Sequence, residues 1–264
     1  MFINTISESK SKTFKECQLK YRYRYVDRIK EIAKNTDALH FGSYIHKILE
    51  DGYQANSLAD LTVIAENVKK DYSFSETYNP KIKVCLENFL RFNATLAETV
   101  ATEMVYEIVH DAEKDIKLNG IIDRIIKGKD GGYLIIDYKT SKRELTELDL
   151  YQDRQMMGYA YAIHKKLGVS LKDIVVAHYY PLTNHFVTCK YSPNQIHQYL
   201  REKVDQIWKI RKMKKADFQP MQNQFCNWCG YKSMCPEFNS GLVCEQRLQA
   251  LKDAKKATKT TKNH

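Results

Sequence analysis

Two features that would place a protein in or across a membrane are missing from this sequence. It contains no run of about 18 apolar residues, the length that a membrane-spanning helix needs. Its first residues, MFINTISESKSKTF, contain no apolar core of the kind that signal peptides have. We therefore expect a cytoplasmic protein without a membrane partner, whose seven cysteines are not paired as disulfides.

The sequence also lacks the phosphate-binding pattern GxxxxGK(S/T), which argues against a motor ATPase, and it has no internal repeat. Its 264 residues, 43% of them hydrophobic, are enough for one large domain or two small ones with a buried core. The formal net charge is +10, of which residues 248–264 contribute +4, from five lysines and one aspartate. The remaining positive charge indicates a polyanionic partner, nucleic acid rather than an anionic membrane, although solubility alone is an alternative explanation.

Periodicity and turn residues predict the order of helices and strands. We expect helices over residues 11–30, 38–53, 58–72 and 81–98, then a strand over 103–110 and two strands flanking a turn at 128–132. A long helix over 149–168, ended by Gly168, strands over 173–182 and 185–191, and a helix over 192–215 follow. This order predicts an α/β protein with a mixed central β-sheet flanked by helices, as one domain over residues 1–247. Within it, residues 55–100 are a helical insertion and 226–244 a cysteine segment, and 248–264 form a basic, disordered tail.

Asp123, Asp137 and Lys139 lie in two strand-like segments that are rich in apolar residues, GIIDRII and YLIIDYK. If the turn is centred on Asp130, Asp123 and Asp137 lie directly opposite each other, with Cβ atoms about 5 Å apart. Alternation along the second strand places Lys139 on the same face as Asp137. Two facing carboxylates repel each other, and a divalent cation between them, Mg²⁺ or Mn²⁺, removes that cost. The alternative is an exposed hairpin in which one aspartate pairs with Lys139 and the other with Arg124.

These segments resemble the PD-(D/E)xK nuclease superfamily, in its RecB-like branch, and the resemblance covers residues 9–236. GIIDRI is similar to the first acidic motif and DYKTSK to the second, with Ile122 in place of a proline that is often absent. The resemblance implies a restriction-endonuclease-like core in which Asp123, Asp137 and Lys139 are catalytic residues. It also implies that the two aspartates hold Mg²⁺ or Mn²⁺.

Further positions match features of the RecB-like branch. His46, four residues after Gly42 on a predicted helix, is implied as another metal ligand, together with the backbone carbonyl of Tyr138. Gln155 and Tyr159, one helical turn apart in QMMGYAYA, are implied to position the lysine, the substrate phosphate or both. The alternative for this pair is a helix packed on the sheet with one buried amide.

One cysteine near the N-terminus and three near the C-terminus match the four-cysteine set of this branch. They are Cys17 and, in the run CNWCGYKSMCP, Cys226, Cys229 and Cys235. The resemblance implies that these cysteines bind a 4Fe–4S cluster, which joins the N- and C-terminal segments. The alternative is a local four-cysteine zinc site in which Cys244 replaces Cys17.

Residues outside these motifs give weaker predictions. Lys20, Arg22 and Arg24 alternate with tyrosines, a pattern that suits contact with unstacked single-stranded DNA, although the tyrosines of an amphipathic helix also form cores. The run KIRKMKK at 209–215 is either a solvated helix end or a phosphate contact. Glu103 matches an acidic residue of some relatives, but a solvated charge at a strand end is the favoured interpretation.

The resemblance implies a metal-dependent DNA exonuclease or end-processing nuclease that prefers single-stranded or end-containing DNA and has a structural 4Fe–4S cluster. Similar proteins are stand-alone RecB-like exonucleases, CRISPR-associated or phage-encoded, and the nuclease part of AddB-type recombination enzymes. We therefore expect DNA as the partner and a bacterial, archaeal or phage-infected cell as the location. A homo-oligomer, or a complex with recombination or CRISPR proteins, is left open. The alternative function is a non-catalytic DNA-end-binding or protein-interaction module that retains the cluster.

Overall fold

The structure is a computed structural model of the 264-residue chain, and it describes residues 3–32, 36–111, 113–141 and 143–239. The chain forms two compact units. Of the residues that the structure describes, the larger unit comprises 4–8, 36–111, 113–141 and 143–205, and the smaller unit comprises 3, 9–32 and 206–239. Among the described residues, no helix is both long and apolar enough to cross a membrane.

The described residues form six strands and eight α-helices. In chain order they are β1 (Thr5–Ile6), α1 (Glu8–Glu16), α2 (Gln18–Tyr21), α3 (Asp37–Asp51), α4 (Leu58–Lys69), α5 (Asn79–Asn93), β2 (Glu98–Asp111), β3 (Ile116–Lys127), β4 (Tyr133–Tyr138), α6 (Glu147–Tyr151), α7 (Arg154–Leu167), β5 (Ile174–Tyr180), β6 (His185–Cys189) and α8 (Pro193–Lys212). A π-helical turn at Arg22–Val26 continues α2.

The strands form one mixed sheet in the larger unit. Its order is β1-β3-β4-β5-β6, and β2 pairs with β3. The pairs β1/β3 and β4/β5 are parallel, whereas β2/β3, β3/β4 and β5/β6 are antiparallel. The predicted α/β class, with a mixed sheet flanked by helices, is therefore confirmed.

The hairpin of β3 and β4 has the register that the sequence predicts. Arg124 lies opposite Ile136 and Lys127 lies opposite Tyr133, so the turn is centred on Asp130. The turn closes through a 2.8 Å hydrogen bond from the N–H of residue 128 to the carbonyl of residue 132. The same register brings the ends of the two strands that carry the acidic residues side by side.

One predicted helix is broken into two. The helix expected over 149–168 is divided into α6 and α7, because the Asp153 side chain accepts hydrogen bonds from the N–H groups of Gln155 (2.7 Å) and Met156 (3.2 Å). An aspartate that satisfies these free N–H groups starts a new helix. Gly168 ends α7 as predicted, with a φ of +70°, a conformation that favours glycine.

Two other predicted helices are shorter than expected. The helix expected over 11–30 is interrupted at Cys17, which has an extended backbone and accepts a hydrogen bond at Sγ from the N–H of Lys20 (3.4 Å). The helix expected over 81–98 ends at Asn93, and β2 begins five residues later. The apolar pattern continues from the helix toward the strand, and local periodicity does not show where the helix ends.

The core of the larger unit lies between the sheet and the helices α3, α4 and α5. Ile45, Ile48 and Leu49 of α3, which the sequence predicts near one helix face, are fully buried. They belong to the same apolar cluster as Phe89 of α5 and Ile136 of β4. This packing holds α3 against the strands that carry the acidic residues.

The smaller unit contains two apolar clusters. The first is formed by Leu19, Tyr23, Ile29, Tyr231 and Met234. The second is formed by Phe14, Tyr21, Ile210 and Phe218. The single domain over residues 1–247, with its insertion at 55–100, stays a prediction. The predicted tail at 248–264 lies outside the described residues.

Candidate active site

The two aspartates and the lysine converge as the hairpin predicts. Asp123 on β3 and Asp137 on β4 are both buried, and Asp123 Oδ2 accepts a 2.8 Å hydrogen bond from the backbone N–H of Tyr138. Lys139 Nζ lies 2.5 Å from Asp137 Oδ2. Arg124, the partner in the alternative interpretation, instead donates to a threonine hydroxyl of β2 at 2.6 Å. The three groups therefore form a buried site rather than an exposed, salt-bridged hairpin.

A histidine and a second acidic side chain lie beside Asp123. His46 Nδ1 is 3.4 Å from Asp123 Oδ2. One ligand atom each of His46, Glu103 and Asp123 lies within 4.8 Å of the other two, close enough for all three to contact one metal ion. Glu103 lies in the interior of β2, so its interpretation as a solvated strand-end charge is wrong. Its φ of +44° is rare for a residue with a side chain and marks a local distortion of the strand.

The start of α3 and its approach to β4 explain the position of His46. Thr36 Oγ1 accepts a hydrogen bond from the N–H of Leu39 (3.3 Å) and caps the helix. One turn before His46, a Cβ added at Gly42 would lie 3.0 Å from Thr140 Oγ1. The glycine therefore lets α3 approach the chain just beyond β4, and the next helical turn brings the imidazole to the carboxylates.

Burial and neighbouring charges raise the pKa values of the acidic groups of this site and of Lys139, and lower the pKa of His46. Burial raises the pKa of Asp123 well above its usual value, and repulsion by Asp137 and Glu103 adds to the shift. Burial also raises the pKa of Glu103, and it lowers that of His46, which favours the neutral imidazole that binds metals. Burial opposes the charge of Lys139, but the neighbouring Asp137 outweighs it and raises the pKa. The crowded carboxylates are of the kind that a bound cation stabilises.

The predicted pair on α7 reaches the same site. Gln155 Nε2 donates hydrogen bonds to Asp137 Oδ1 (3.2 Å) and to the hydroxyl oxygen of Tyr159 (2.6 Å). Tyr159 is buried, and burial raises the pKa of its hydroxyl. The amide thus orients the second aspartate, whereas the resemblance implies a contact with the lysine or the phosphate. This hydrogen bond distinguishes the pair from a helix that merely buries one amide.

Two residues near the site, His178 and Asp153, were missed by the sequence analysis. His178 on β5 is fully buried and pairs in register with Asp137 on β4. Its Nε2 lies 3.5 Å from Asp153 Oδ2 and 3.9 Å from Asp137 Oδ2. The available signal was a histidine inside the apolar strand IVVAHYY, where a polar residue needs a reason to be buried.

All four predicted cluster cysteines line one cavity of the smaller unit; they are Cys17, Cys226, Cys229 and Cys235. Cys17 Sγ accepts a hydrogen bond from the N–H of Lys20, and Cys226 Sγ accepts one from the N–H of Asn223 (3.3 Å). Backbone N–H groups that point at sulfur stabilise thiolates, the form that binds metals.

The thiols of this cavity also affect one another. Burial raises the pKa of Cys229 and of Cys235, and their proximity to Cys17 adds to the shift. Crowded thiolates of this kind become stable when a metal group neutralises their charge. Cys244, the alternative fourth ligand, lies outside the described residues.

The basic residues of the first segment are paired within the smaller unit. Lys20 Nζ lies 3.7 Å from a carboxylate oxygen of Glu31, and Arg24 lies 3.5 Å from the other. Arg22 Nε donates to Asp27 at 2.8 Å. The alternating tyrosines at positions 21 and 23 are buried in the two apolar clusters, so these rings are not available to stack on bases.

Comparisons with known proteins agree with this geometry. Residues 5–236 match the family model of the PD-(D/E)XK nuclease superfamily. One component of an ATP-dependent helicase/deoxyribonuclease from Streptococcus agalactiae is 30% identical over 186 residues, which cover 63% of this chain and 17% of that protein. The corresponding protein of Streptococcus mutans is 27% identical over 176 residues, 60% of this chain and 16% of that protein. The matched region is thus less than a fifth of the length of these relatives.

A solved structure has a similar fold. The crystal structure of a candidate exonuclease from Eubacterium rectale superimposes with a TM-score of 0.56 and covers 90% of this chain and 94% of its own. The sequence identity is 14%, so this likeness concerns the fold alone.

Proposed function

Because the chain belongs to the PD-(D/E)XK nuclease superfamily, we propose that it is a divalent-metal-dependent DNA exonuclease or end-processing nuclease that hydrolyses phosphodiester bonds. The observation that carries this proposal is the convergence of the buried Asp123 and Asp137 with the half-buried Lys139, beside His46 and Glu103. The streptococcal relatives support the RecB-like branch, and a deoxyribonuclease name supports DNA as the substrate class. Single-stranded or end-containing DNA is the preferred form in this proposal.

The side chains present fit Mg²⁺ or Mn²⁺. The ligand atoms of Asp123, His46 and Glu103 lie close enough together to hold one ion, with Glu103 binding directly or through water. In this proposal Asp137 and the backbone carbonyl of Tyr138 complete the set of ligands. Burial, with repulsion from neighbouring carboxylates, raises the pKa of Asp123 and of Glu103, so a bound cation would stabilise their charged forms. When bound, the ion supplies Lewis acidity, which activates water and neutralises charge on the phosphoryl oxygens.

The other residues act on the phosphate and on the ligands. The Lys139 ammonium, held beside Asp137, donates hydrogen bonds to the attacking water or to the oxygen that gains charge. Gln155 fixes the rotamer of Asp137 through its 3.2 Å hydrogen bond, and Tyr159 fixes Gln155 in turn. His46 is held neutral by burial and offers a lone pair.

Cleavage of end-labelled single-stranded and double-stranded DNA with Mg²⁺ or Mn²⁺ tests the proposal and reports strand preference and polarity together. We expect Lys139→Ala and Asp137→Ala to slow cleavage by at least about 100-fold, as loss of a transition-state contact does. Lys127→Ala, at the exposed end of β3, is the matched control and should cut like the parent. If the two site variants also cut like the parent, the site is wrongly assigned. DNA binding without cleavage under any metal would favour the non-catalytic module.

We also propose that Cys17, Cys226, Cys229 and Cys235 bind a 4Fe–4S cluster, with zinc as the lesser alternative. Their common cavity and the two N–H···S hydrogen bonds support this assignment. Anaerobic purification should give coloured protein with about four iron atoms and a matching amount of acid-labile sulfide per chain. Colourless protein that contains zinc and no iron would contradict it. A homo-oligomer, recombination or CRISPR partners and a cytoplasmic location stay predictions.

A further inference from the structure

A groove of about 490 Å³ is continuous with the candidate metal centre in the larger unit. One wall is a single face of α3, on which Leu39, Gly42, Ser43 and His46 follow one another at the spacing of a helical turn. Leu39 precedes His46 by two turns, roughly 10 Å along the helix axis. That distance is within the reach of one nucleotide from its phosphate to its base.

Along α3, the end of the groove away from His46 carries Leu39, which is 59% exposed. The ring of Tyr72 also lines the groove. Tyr72 is half-buried because its ring packs edge-on against Tyr44, with ring centroids 5.9 Å apart. The aromatic face is therefore fixed by the core, so that stacking a ligand on it costs little side-chain entropy.

The middle of the groove is polar and suits the sugar-phosphate backbone. The hydroxyl groups of Ser43 and Thr140 line it between the apolar end and the metal-binding side chains. Hydroxyl groups donate to phosphate oxygens and accept from sugars without sequence preference. The groove therefore offers, in order, contacts for a phosphate, a sugar and an aromatic base.

We propose that Leu39 and Tyr72 form a subsite for one unpaired nucleobase, whose own strand places a phosphate at the candidate metal centre. The inference rests on the proposed function and deepens it, since it names the residues that would hold an unpaired base of the substrate. A base inside a duplex is covered on both faces by its neighbours and cannot stack on Tyr72. The subsite therefore selects single strands and frayed or overhanging ends.

Binding measured by fluorescence anisotropy, with Ca²⁺ in place of Mg²⁺ to prevent cleavage, tests the subsite without relying on activity. Tyr72→Ala should weaken binding of a short single-stranded oligonucleotide by about 5- to 100-fold, the effect of losing one base–aromatic stack. Tyr72→Phe keeps the ring and should bind like the parent. Leu39→Ala removes little packing, because the side chain is 59% exposed, and it should also weaken binding.

Tyr78→Ala is the matched control. Tyr78 is also a half-buried ring packed on the core of the larger unit, but it is not among the described residues that line the groove. Its loss should leave DNA binding unchanged. Equal weakening by Tyr72→Ala and Tyr78→Ala, or no weakening by Tyr72→Ala and Leu39→Ala, would overturn the subsite.

An abasic nucleotide moved along the oligonucleotide completes the test. At one position the abasic substitution should weaken binding by the parent but not by Tyr72→Ala, because loss of the ring and loss of the base remove the same contact. Additive losses at every position would refute the stacking contact. If this coupling is present while the parent cleaves no DNA with Mg²⁺ or Mn²⁺, the subsite stands and the proposed nuclease function fails.

Discussion

Asp123 is a carboxylate whose buried position disfavours its charge, and this conflict has a measurable effect on stability. Because its pKa is raised in the folded protein, the folded state holds the proton more tightly than the unfolded chain does. The destabilising contribution is absent below the unfolded pKa of about 4, grows as the pH rises toward the raised folded pKa, and is constant above it. The contribution of Asp123 alone should therefore make the metal-free protein less stable at neutral pH than at mildly acidic pH.

Asp123→Asn removes that charge and keeps an oxygen that can accept from the Tyr138 N–H. At pH 7 without metal, we expect the midpoint of thermal unfolding to rise by about 2–4 °C, the effect of roughly 1 kcal/mol in a chain of this size. Mn²⁺ should raise the midpoint of the parent but not of the variant, since binding to the folded state stabilises it. Asp130→Asn, in the exposed turn, is the control. Equal stabilisation of parent and Asp123→Asn by Mn²⁺ would contradict the ligand assignment.

In the proposed mechanism Gln155 acts through Asp137, to which its amide donates a 3.2 Å hydrogen bond. Gln155→Ala should lower the rate of DNA cleavage by about 10- to 100-fold and raise the Mn²⁺ concentration needed for half-maximal rate, because outer contacts of this kind orient metal ligands. Gln152→Ala, an exposed glutamine three residues earlier, should change neither quantity. A lower rate with an unchanged Mn²⁺ requirement would instead indicate a direct contact with the substrate.

The elements around the site differ in how far local sequence determines them. The β3–β4 hairpin was predicted in register because its turn residues and its alternation are short-range signals. The break between α6 and α7 was missed, because an aspartate in an amphipathic pattern suits either a solvated helix face or a new cap. The signal that could have revealed α6 is the capping box formed by Thr146 and Asp149.

Asp153 caps α7 and also lies beside His178. Comparison with a variant that loses only a helix cap tests whether Asp153 does more than cap the helix. Asp153→Ala should cost about 1 kcal/mol of unfolding free energy and also lower the cleavage rate, because the Asp153 carboxylate holds the N–H of Gln155 and lies 3.5 Å from His178 beside Asp137. Thr146→Ala removes the cap of α6 and should cost a similar free energy without changing the rate. Denaturant unfolding and cleavage assays on both variants make the comparison. Equal rates for the two would show that Asp153 is only a cap.

Across the whole molecule, residues that meet only through the fold were the hardest to predict. Glu103 and His178 come from strands outside the hairpin, β2 and β5, and nothing local distinguishes them from a solvated charge or a core histidine. The four cysteines that line one cavity were an exception, because the resemblance implied the whole set although Cys17 and Cys226 are 209 positions apart in the chain. A long separation of this kind makes any cross-link important for stability, because closing a long loop removes entropy from the unfolded chain.

Loss of Cys17 should therefore affect both iron binding and folding. In Cys17→Ser we expect loss of the visible absorbance and of most of the iron, together with a lower midpoint of thermal unfolding, because the N-terminal segment is then no longer held to the other three cysteines. Cys189→Ser, a half-buried cysteine outside the cavity, is the matched control and should keep its iron. Asp137→Ala should also keep the iron while it loses cleavage, since its carboxylate belongs to the larger unit. Full iron content in Cys17→Ser would show that the fourth ligand lies elsewhere in the chain.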